Sequence, residues 1–204
     1  MKRFCMVAAA GLLASCTAVK VATHTTERDP IHAPAGLYHL DAQHWSIVFD
    51  VDHLRYSRFV MRFDRATAEL DFDPAAIERS HVHAVIEAAS IDTNVPALDA
   101  LVAGPDLLDA ARYGDIRFDS TSLRRTGEAT GEMTGNLTIR GSTQPVTLAV
   151  TFNGAAPNPL TRQQTMGFSA TGSFSRAAFG LSAWFPAVGD DIRVEIQAEF
   201  DKPN

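Results

Sequence analysis

The side chains that could do chemistry in this chain are few, and they do not gather into a known constellation. His81 and His83 flank Val82, and on a strand such an i, i+2 pair puts both imidazoles on one face, which is the geometry of two metal ligands. Val82, Ala84 and Ile86 take the opposite, apolar parity, so both histidines are expected on the solvent side, and no third ligand stands at a fixed spacing. No metal site is assigned. Asp190-Asp191 is a carboxylate pair of the kind used in acid–base work, but it follows Val188-Gly189 and fits a polar turn better. There is no Gly-x-Ser-x-Gly elbow, His-Glu-x-x-His, phosphate loop or dinucleotide glycine fingerprint. No catalytic residue is assigned either, and the chain is not read as an enzyme: without those constellations catalysis would have to be assembled by the fold. His53 shares parity with Phe49 and Val51 at the end of an apolar run; it would either meet a polar ligand group or cap the core. His44, before that run, reads as structural. Arg140 and Lys202, near strand ends, are candidates for contact with an anionic group.

Cysteine chemistry is confined to the N-terminus. The only two are Cys5 and Cys16. Lys2-Arg3, an apolar run from Phe4 to Leu13 and small residues before Cys16 have the form of a secretory signal over residues 1–15. The run is shorter than the roughly 20 residues that span a bilayer. Leu13-Ala14-Ser15-Cys16 resembles a bacterial lipobox, in which the cysteine becomes the acylated first residue; the other reading is an ordinary signal with an incidental cysteine. The apolar residue three before Cys16, followed by a small pair, favours lipidation. Thr17, where a retention aspartate would stand, points to the periplasmic face of the outer membrane. Residues 16–35, with Pro30 and Pro34 and no periodicity, are expected to be a lipidated tether, leaving residues 36–204 as one domain. Loss of Lys2 and Arg3 with the signal takes the 18 basic groups to 16 against 24 acidic ones, a net −8. With no basic run to offset that charge, nucleic acid and anionic membrane surfaces are both poor electrostatic partners.

The elements that must position any site are strands. Ile47/Phe49/Val51, Val82/Ala84/Ile86, Ile116/Phe118/Ser120 and Gly131/Met133/Gly135/Leu137/Ile139 all alternate with polar neighbours. So do Val146/Leu148/Val150/Phe152, Met166/Phe168/Ala170 and Ile192/Val194/Ile196. Turn residues such as Thr126-Gly127, Gly141-Ser142 and Asn153-Gly154 separate the runs. With Phe59–Phe72 as one strand, about eight strands follow Tyr38. Only residues 96–112 look helical, divided at Gly104-Pro105. The pattern predicts an all-β domain, a sandwich or a single antiparallel barrel with one short helical insertion. Small residues on the apolar faces (Gly131, Gly135, Ala170, Gly172) favour the barrel and are expected to leave free volume inside it.

The ordered segments then resemble the YceI family. They include Leu40-Asp41-Ala42-Gln43-His44, Ile47 to Leu54, Leu70-Asp71-Phe72-Asp73-Pro74, Ala88 to Thr93 and Tyr113 to Thr121. Gly135 to Leu148, Gly167 to Gly172 and Phe179-Gly180-Leu181 complete the set, which spans residues 38–200. The resemblance implies a lipocalin-like barrel whose lumen takes an isoprenoid lipid or quinone as its ligand, with no cofactor. The corresponding function is non-enzymatic binding, transport or storage of such a lipid in the bacterial envelope. Alternatives are an envelope stress or assembly factor gripping a protein partner, and a small hydrolase or isomerase on the same barrel. The inward positions offered as lumen contacts are Phe49, Val51, His53, Phe63, Phe72, Ile86 and Phe118, followed by Met133, Leu137, Leu148, Phe152, Met166 and Phe168. For any one of these, packing against its neighbours is the competing reading. The sequence departs from the family pattern at Leu101-Val102-Ala103 and in the short Trp184-Phe185-Pro186 segment, both expected near a barrel mouth.

Overall fold

In the computed structural model residues 19–203 are described; the signal segment 1–15 and Cys16 lie outside them. Ten strands follow in chain order: β1 Gly36–His53, β2 Ser57–Phe63, β3 Ala66–Phe72, β4 His81–Glu87, β5 Ile91–Asp92, β6 Asp115–Arg125, β7 Thr130–Ile139, β8 Ser142–Pro157, β9 Gln164–Ser175 and β10 Val188–Asp201. β2 and β3 are the halves of one bent strand interrupted at Asp64-Arg65. Both pair antiparallel with β1, from Ile47↔Phe63 to His53↔Ser57 and from Gly36↔Phe72 to His39↔Glu69. β4 and β5 follow the same bend across the 3-10 turn Ala88–Ser90, β4 on β3 and β5 on β2. The two corners are stitched by Asp64 N–H to Ser90 O (3.0 Å) and Glu87 N–H to Arg65 O (3.0 Å).

Counted as bent units, eight antiparallel strands form a meander that closes where β10 pairs with β1. The expected eight-stranded barrel, with one run through Phe59–Phe72, is what the chain adopts. Closure removes the free sheet edges that an open meander would expose. Alternation decides which side faces in: on β6, Ile116, Phe118 and Ser120 are buried while Asp115 and Arg117 are exposed. The outer face is held by cross-strand polar pairs, such as Thr134–Thr147 and Thr138–Thr143, each 2.8 Å between hydroxyls.

Three expectations are corrected. Residues 96–112 do not make two helices. Only Pro96–Ala103 is helical, with proline in the first turn and Gly104 after the last residue. The segment beyond it turns back over the helix end, Leu108 N–H to Val102 O (3.0 Å) and Ala110 N–H to Ala103 O (2.9 Å). The tether stays largely exposed, but from Glu27 onward it is fastened to the barrel. Glu27 bridges to Ala155 through N–H···O bonds of 2.9 and 2.8 Å. Asp29 caps a 3-10 turn at Pro30–His32, and Pro30 and Ala33 are buried. This segment forms a plug at the barrel end where β1 begins. Finally, Gly131 and Ala170 do line the cavity, but Gly135 and Gly172 do not open free volume. A Cβ on Gly135 would overlap the Phe118 ring, and one on Gly172 would lie 2.6 Å from Leu148 Cδ2. Neighbouring side chains already fill those gaps.

Candidate functional site

Inward side chains from the barrel wall enclose a cavity of about 490 Å³, within the size range of small-molecule sites. Its middle is walled by Phe49, Phe63, Ile86, Phe118, Met133 and Leu148, drawn from six different strands. Phe49 and Phe63 stack with ring centres 5.2 Å apart, so part of the wall is rigid aromatic surface. Of the lumen positions read from the sequence, all but Met166 line this cavity. Met166 points inward but is 0% exposed and packs beneath it, with Tyr38, Leu70, Phe152 and Phe200. Parity specifies a face of the sheet; it does not specify depth along the barrel axis. Met166 is a packing residue.

That packed layer backs the plugged end, where Pro30 itself is part of the cavity floor. The Tyr38 hydroxyl donates to Pro34 O at 2.7 Å, and burial pushes its pKa up to about 12. Lys202 Nζ donates to Ala35 O at 2.7 Å and lies 5.8 Å over the Tyr38 ring. It therefore ties the plug down rather than reaching a ligand. Beside the plug, the β6–β7 hairpin brings Arg124, Arg125, Glu128 and Glu132 to the cavity margin. Three of these charges are already matched, Arg124 with Glu132 at 2.5 Å and Arg125 with Asp29 at 2.9 Å.

The opposite end is a mouth built from the β1–β2 hairpin, the Pro96–Ala103 helix and the strap that joins β9 to β10. Leu98, Val102, Leu107 and Leu108 of the insertion line the cavity here, as do Leu181 and Trp184 of the strap. Both places where the chain departs from the family pattern thus stand at the mouth. His53 is there too, exposed at the end of β1 with its ring 6.2 Å from Phe59. Arg140 is not in the cavity; its guanidinium donates to Pro105 O at 2.6 Å and pins the helical insertion.

Arg176 is the group at the mouth that the sequence reading missed. It lines the cavity, is 5% exposed, and donates to four backbone carbonyls, two in the strap and two at the start of β10. Its Nε reaches Gly189 O (2.6 Å), Nη1 reaches Leu181 O and Ala183 O (3.0 Å), and Nη2 reaches Val188 O (2.8 Å). Burial pulls its pKa below the ordinary arginine value and the Asp190 charge pushes it back up; a guanidinium remains charged regardless. The partners are main-chain atoms, so no side-chain pattern announces them. The one available signal is a single arginine just before Phe179-Gly180-Leu181.

The histidine pair faces outward as expected and does not converge. His83 Nδ1 meets Asp119 Oδ1 at 2.6 Å and His81 Nδ1 meets Ser120 Oγ at 3.1 Å, each on β6. Asp190 accepts the Ala177 N–H at 2.8 Å and carries a pKa lowered by the Ser175 hydroxyl and that amide. Asp191 lies near Arg58 and Arg193. The two carboxylates therefore serve separate structural contacts. Among the described residues one cluster has ligand-like spacing, Asp41, His44 and Glu199. Within it His44 Nδ1 is 2.6 Å from Asp41 Oδ2 and Gln43 N–H donates to Asp41 Oδ1 at 2.8 Å, so the group closes a bulge in β1.

Comparison with known proteins agrees with this geometry. Residues 38–200 match the YceI-like domain. A UPF0312 protein of Pseudomonas putida is 34% identical over 151 residues, 73% of this chain and 78% of the relative. One from Vibrio cholerae is 31% identical over 170 residues, 82% of this chain and 89% of the relative. Among solved structures, a Campylobacter jejuni YCEI protein aligns with a TM-score of 0.68 and 28% identity, covering 75% of this chain and 90% of that one. A polyisoprenoid binding domain from Saccharophagus degradans aligns with a TM-score of 0.62 at 13% identity, covering 83% of this chain and all of that one, which shows a shared fold.

Proposed function

The chain belongs to the YceI-like family, and from that premise we propose that it binds, carries or stores a long apolar lipid of the isoprenoid class without catalysing a reaction. The observation that carries the reading is the cavity: about 490 Å³ inside a closed barrel, with apolar side chains from every quarter of the wall. Each methylene moved there from water contributes roughly 0.8 kcal/mol, so a long chain needs few polar contacts to be held. Half-buried Met133, paired across the strands with Leu123 and Leu148, offers a wall that adapts to a flexible occupant. The shared fold with a polyisoprenoid binding domain supports the isoprenoid class. The sequence supports the place of action: export through residues 1–15 and acylation at Cys16 would hold the barrel at the periplasmic face of a bacterial membrane, the outer one by the Thr17 criterion.

Native mass spectrometry of the purified protein tests the cargo. A co-purifying apolar molecule of several hundred daltons, resistant to dialysis and released by organic solvent, is the expected outcome. A barrel that is empty as purified and takes up no polyprenyl lipid on incubation would falsify it. The anchor is tested separately: Cys16→Ser should move the protein from the membrane fraction to the soluble one while leaving its melting curve unchanged.

A further inference from the structure

We infer that the mouth of the barrel docks on a lipid bilayer, with the β1–β2 hairpin tip and the strap tip as its contact points. The inference rests on the reading of the cavity as a lipid site and deepens it by naming the surface through which the lipid arrives. Leu54 and Tyr56 on the hairpin are 48% and 88% exposed, and Trp184 and Phe185 on the strap are 45% and 64% exposed. The two tips are joined by Leu54 N–H to Ala187 O at 2.7 Å, so the four side chains form one crown rather than scattered surface residues.

Two features separate this crown from incidental exposure. The first is backbone cost. Leu54, Arg55 and Trp184 have φ of 53°, 61° and 64°, a left-handed region that favours glycine or asparagine. Of the seven non-glycine residues with positive φ among the described residues, Leu54 and Trp184 are the two apolar ones, and both stand on this rim. A turn serving only the fold would carry Asn-Gly where this one carries Leu54-Arg55. The second is continuity. Trp184 faces both the solvent and the cavity, and His53 and Val188 carry the cavity wall up to the same edge.

The chemistry of the crown selects the occupant. Tyrosine, tryptophan and phenylalanine beside aliphatic residues are the types that settle at the interface of a bilayer. Arg55 lies between the two apolar hairpin residues and has no carboxylate within ion-pair distance among the described residues, whereas Arg58, a few residues inward, is paired with Asp50. The net charge of the protein opposes an anionic surface, but a free guanidinium at the tip itself gives anionic head groups one local, complementary contact. A membrane is also the phase from which a water-insoluble chain must come, and docking here would let it pass into the cavity without crossing water.

The test uses the full chain with Trp45→Phe, so that Trp184 is the remaining tryptophan. The reciprocal Trp184→Phe chain, which keeps the interior Trp45, is the control. Vesicles of phosphatidylcholine and phosphatidylglycerol are prepared with and without bromine on the acyl chains. Docking predicts a blue shift of Trp184 emission and its quenching by the brominated chains, with Trp45 much less affected. Leu54→Ser and Phe185→Ser should each raise the lipid concentration for half-maximal quenching roughly tenfold. Arg55→Gln should raise it about fivefold, only when phosphatidylglycerol is present. These positions are exposed, so unchanged melting curves certify the variants. A chain that floats with the vesicles through Cys16 while Trp184 stays unquenched overturns the inference. So does a dimer in which the crown is shielded by a second copy. Neither outcome touches the mass of a lipid bound in the cavity, which is the separate test of the cargo.

Discussion

At the plugged end Tyr38 and Met166 have no exposed surface, and a segment from outside the barrel, Glu27 to Ala35, is brought in to cover them. At the mouth Leu54, Tyr56, Trp184 and Phe185 stand in solvent, and the covering elements are a two-turn helix and a strap hung from one arginine. The same strands supply both ends: Met166 and Phe174 lie on β9, and Leu40 and Val51 on β1. One end is finished as a protein interior and the other as a boundary. Alternation fixes only that apolar side chains point in; what they meet depends on where the non-strand segments are placed.

The sharpest way to break this contrast is to make the same change at both depths. Met166→Ala should cost about 2–5 kcal/mol, because it leaves a hole in a packed cluster. Met133→Ala removes the same atoms from a half-buried side chain that already borders empty space, and it should cost far less while enlarging the cavity. Urea denaturation of the two delipidated variants measures the difference. Equal costs would mean that the lumen is a packed core.

The plugged end should also respond to alkali where the mouth does not. The Tyr38 pKa is pushed up from 10.0 to about 12 by burial. A raised pKa means that the neutral form is the one the fold prefers, so the stabilisation is complete below pH 10 and is lost as pH rises through about 12. The amount at stake is on the order of 2–3 kcal/mol. Stability measured against pH should therefore fall across that window, and Tyr38→Phe should remove the slope at the cost of one hydrogen bond to Pro34, about 0.5–1.5 kcal/mol.

At the mouth, Arg176→Met keeps the bulk of the stem but frees four main-chain carbonyls, two in the strap and two at the start of β10. Each buried acceptor left without a donor costs about 1–3 kcal/mol, less whatever the strap recovers by moving into water. The expected signature is therefore local. Amide exchange should rise across residues 181–189 and bound lipid should leave faster, while exchange at Tyr38 and Met166 stays slow. A uniform loss of protection over both ends would show that the strap is part of one cooperative core.

Much of this architecture was legible in the residues. The runs at 47–51, 82–86, 116–120, 146–152 and 192–200 alternate cleanly, and their apolar members line the cavity or its floor. Legibility failed where geometry breaks the period of two. Register shifts fall between Leu40 and Trp45, between Ser120 and Ser122, and between Phe152 and Gly154. Beyond each shift the inward parity reverses, so Trp45, Leu123 and Ala155 turn inward against the pattern that precedes them. It failed again where main chain does the work of side chains, as in the bridge from Glu27 to Ala155 and the carbonyl cage of Arg176. Gly135 misled for a third reason: absence of a side chain looks like space in a sequence, but in the barrel Phe118 occupies it.

The smallest effect concerns the joint between the two regions. The bulge of β1 lies where that strand stops pairing with β3 and goes on to pair with β2, and Asp41 and His44 close it at 2.6 Å. The His44 pKa is raised above 6.5, first by the hydrogen bond it donates to Asp41 and then by the Asp41 charge. For Asp41 burial pushes the pKa up, but the bonds from His44 and the Gln43 amide outweigh it and hold the carboxyl below 3.8. Each shift has its own sign. The histidine contribution is present below 6.5 and lost as pH rises through the raised value; the aspartate contribution is present above 3.8 and lost as pH falls through the lowered one. The pair is therefore intact between those limits and weakens on either side. His44 is exposed, so the melting curve should hardly register the change, and the readout is the imidazole itself. A proton NMR titration should place His44 above the ordinary histidine value, and Asp41→Asn should return it there. If the titration midpoint of His44 does not move in Asp41→Asn, the bulge is held by the Gln43 amide contact and the strand register alone.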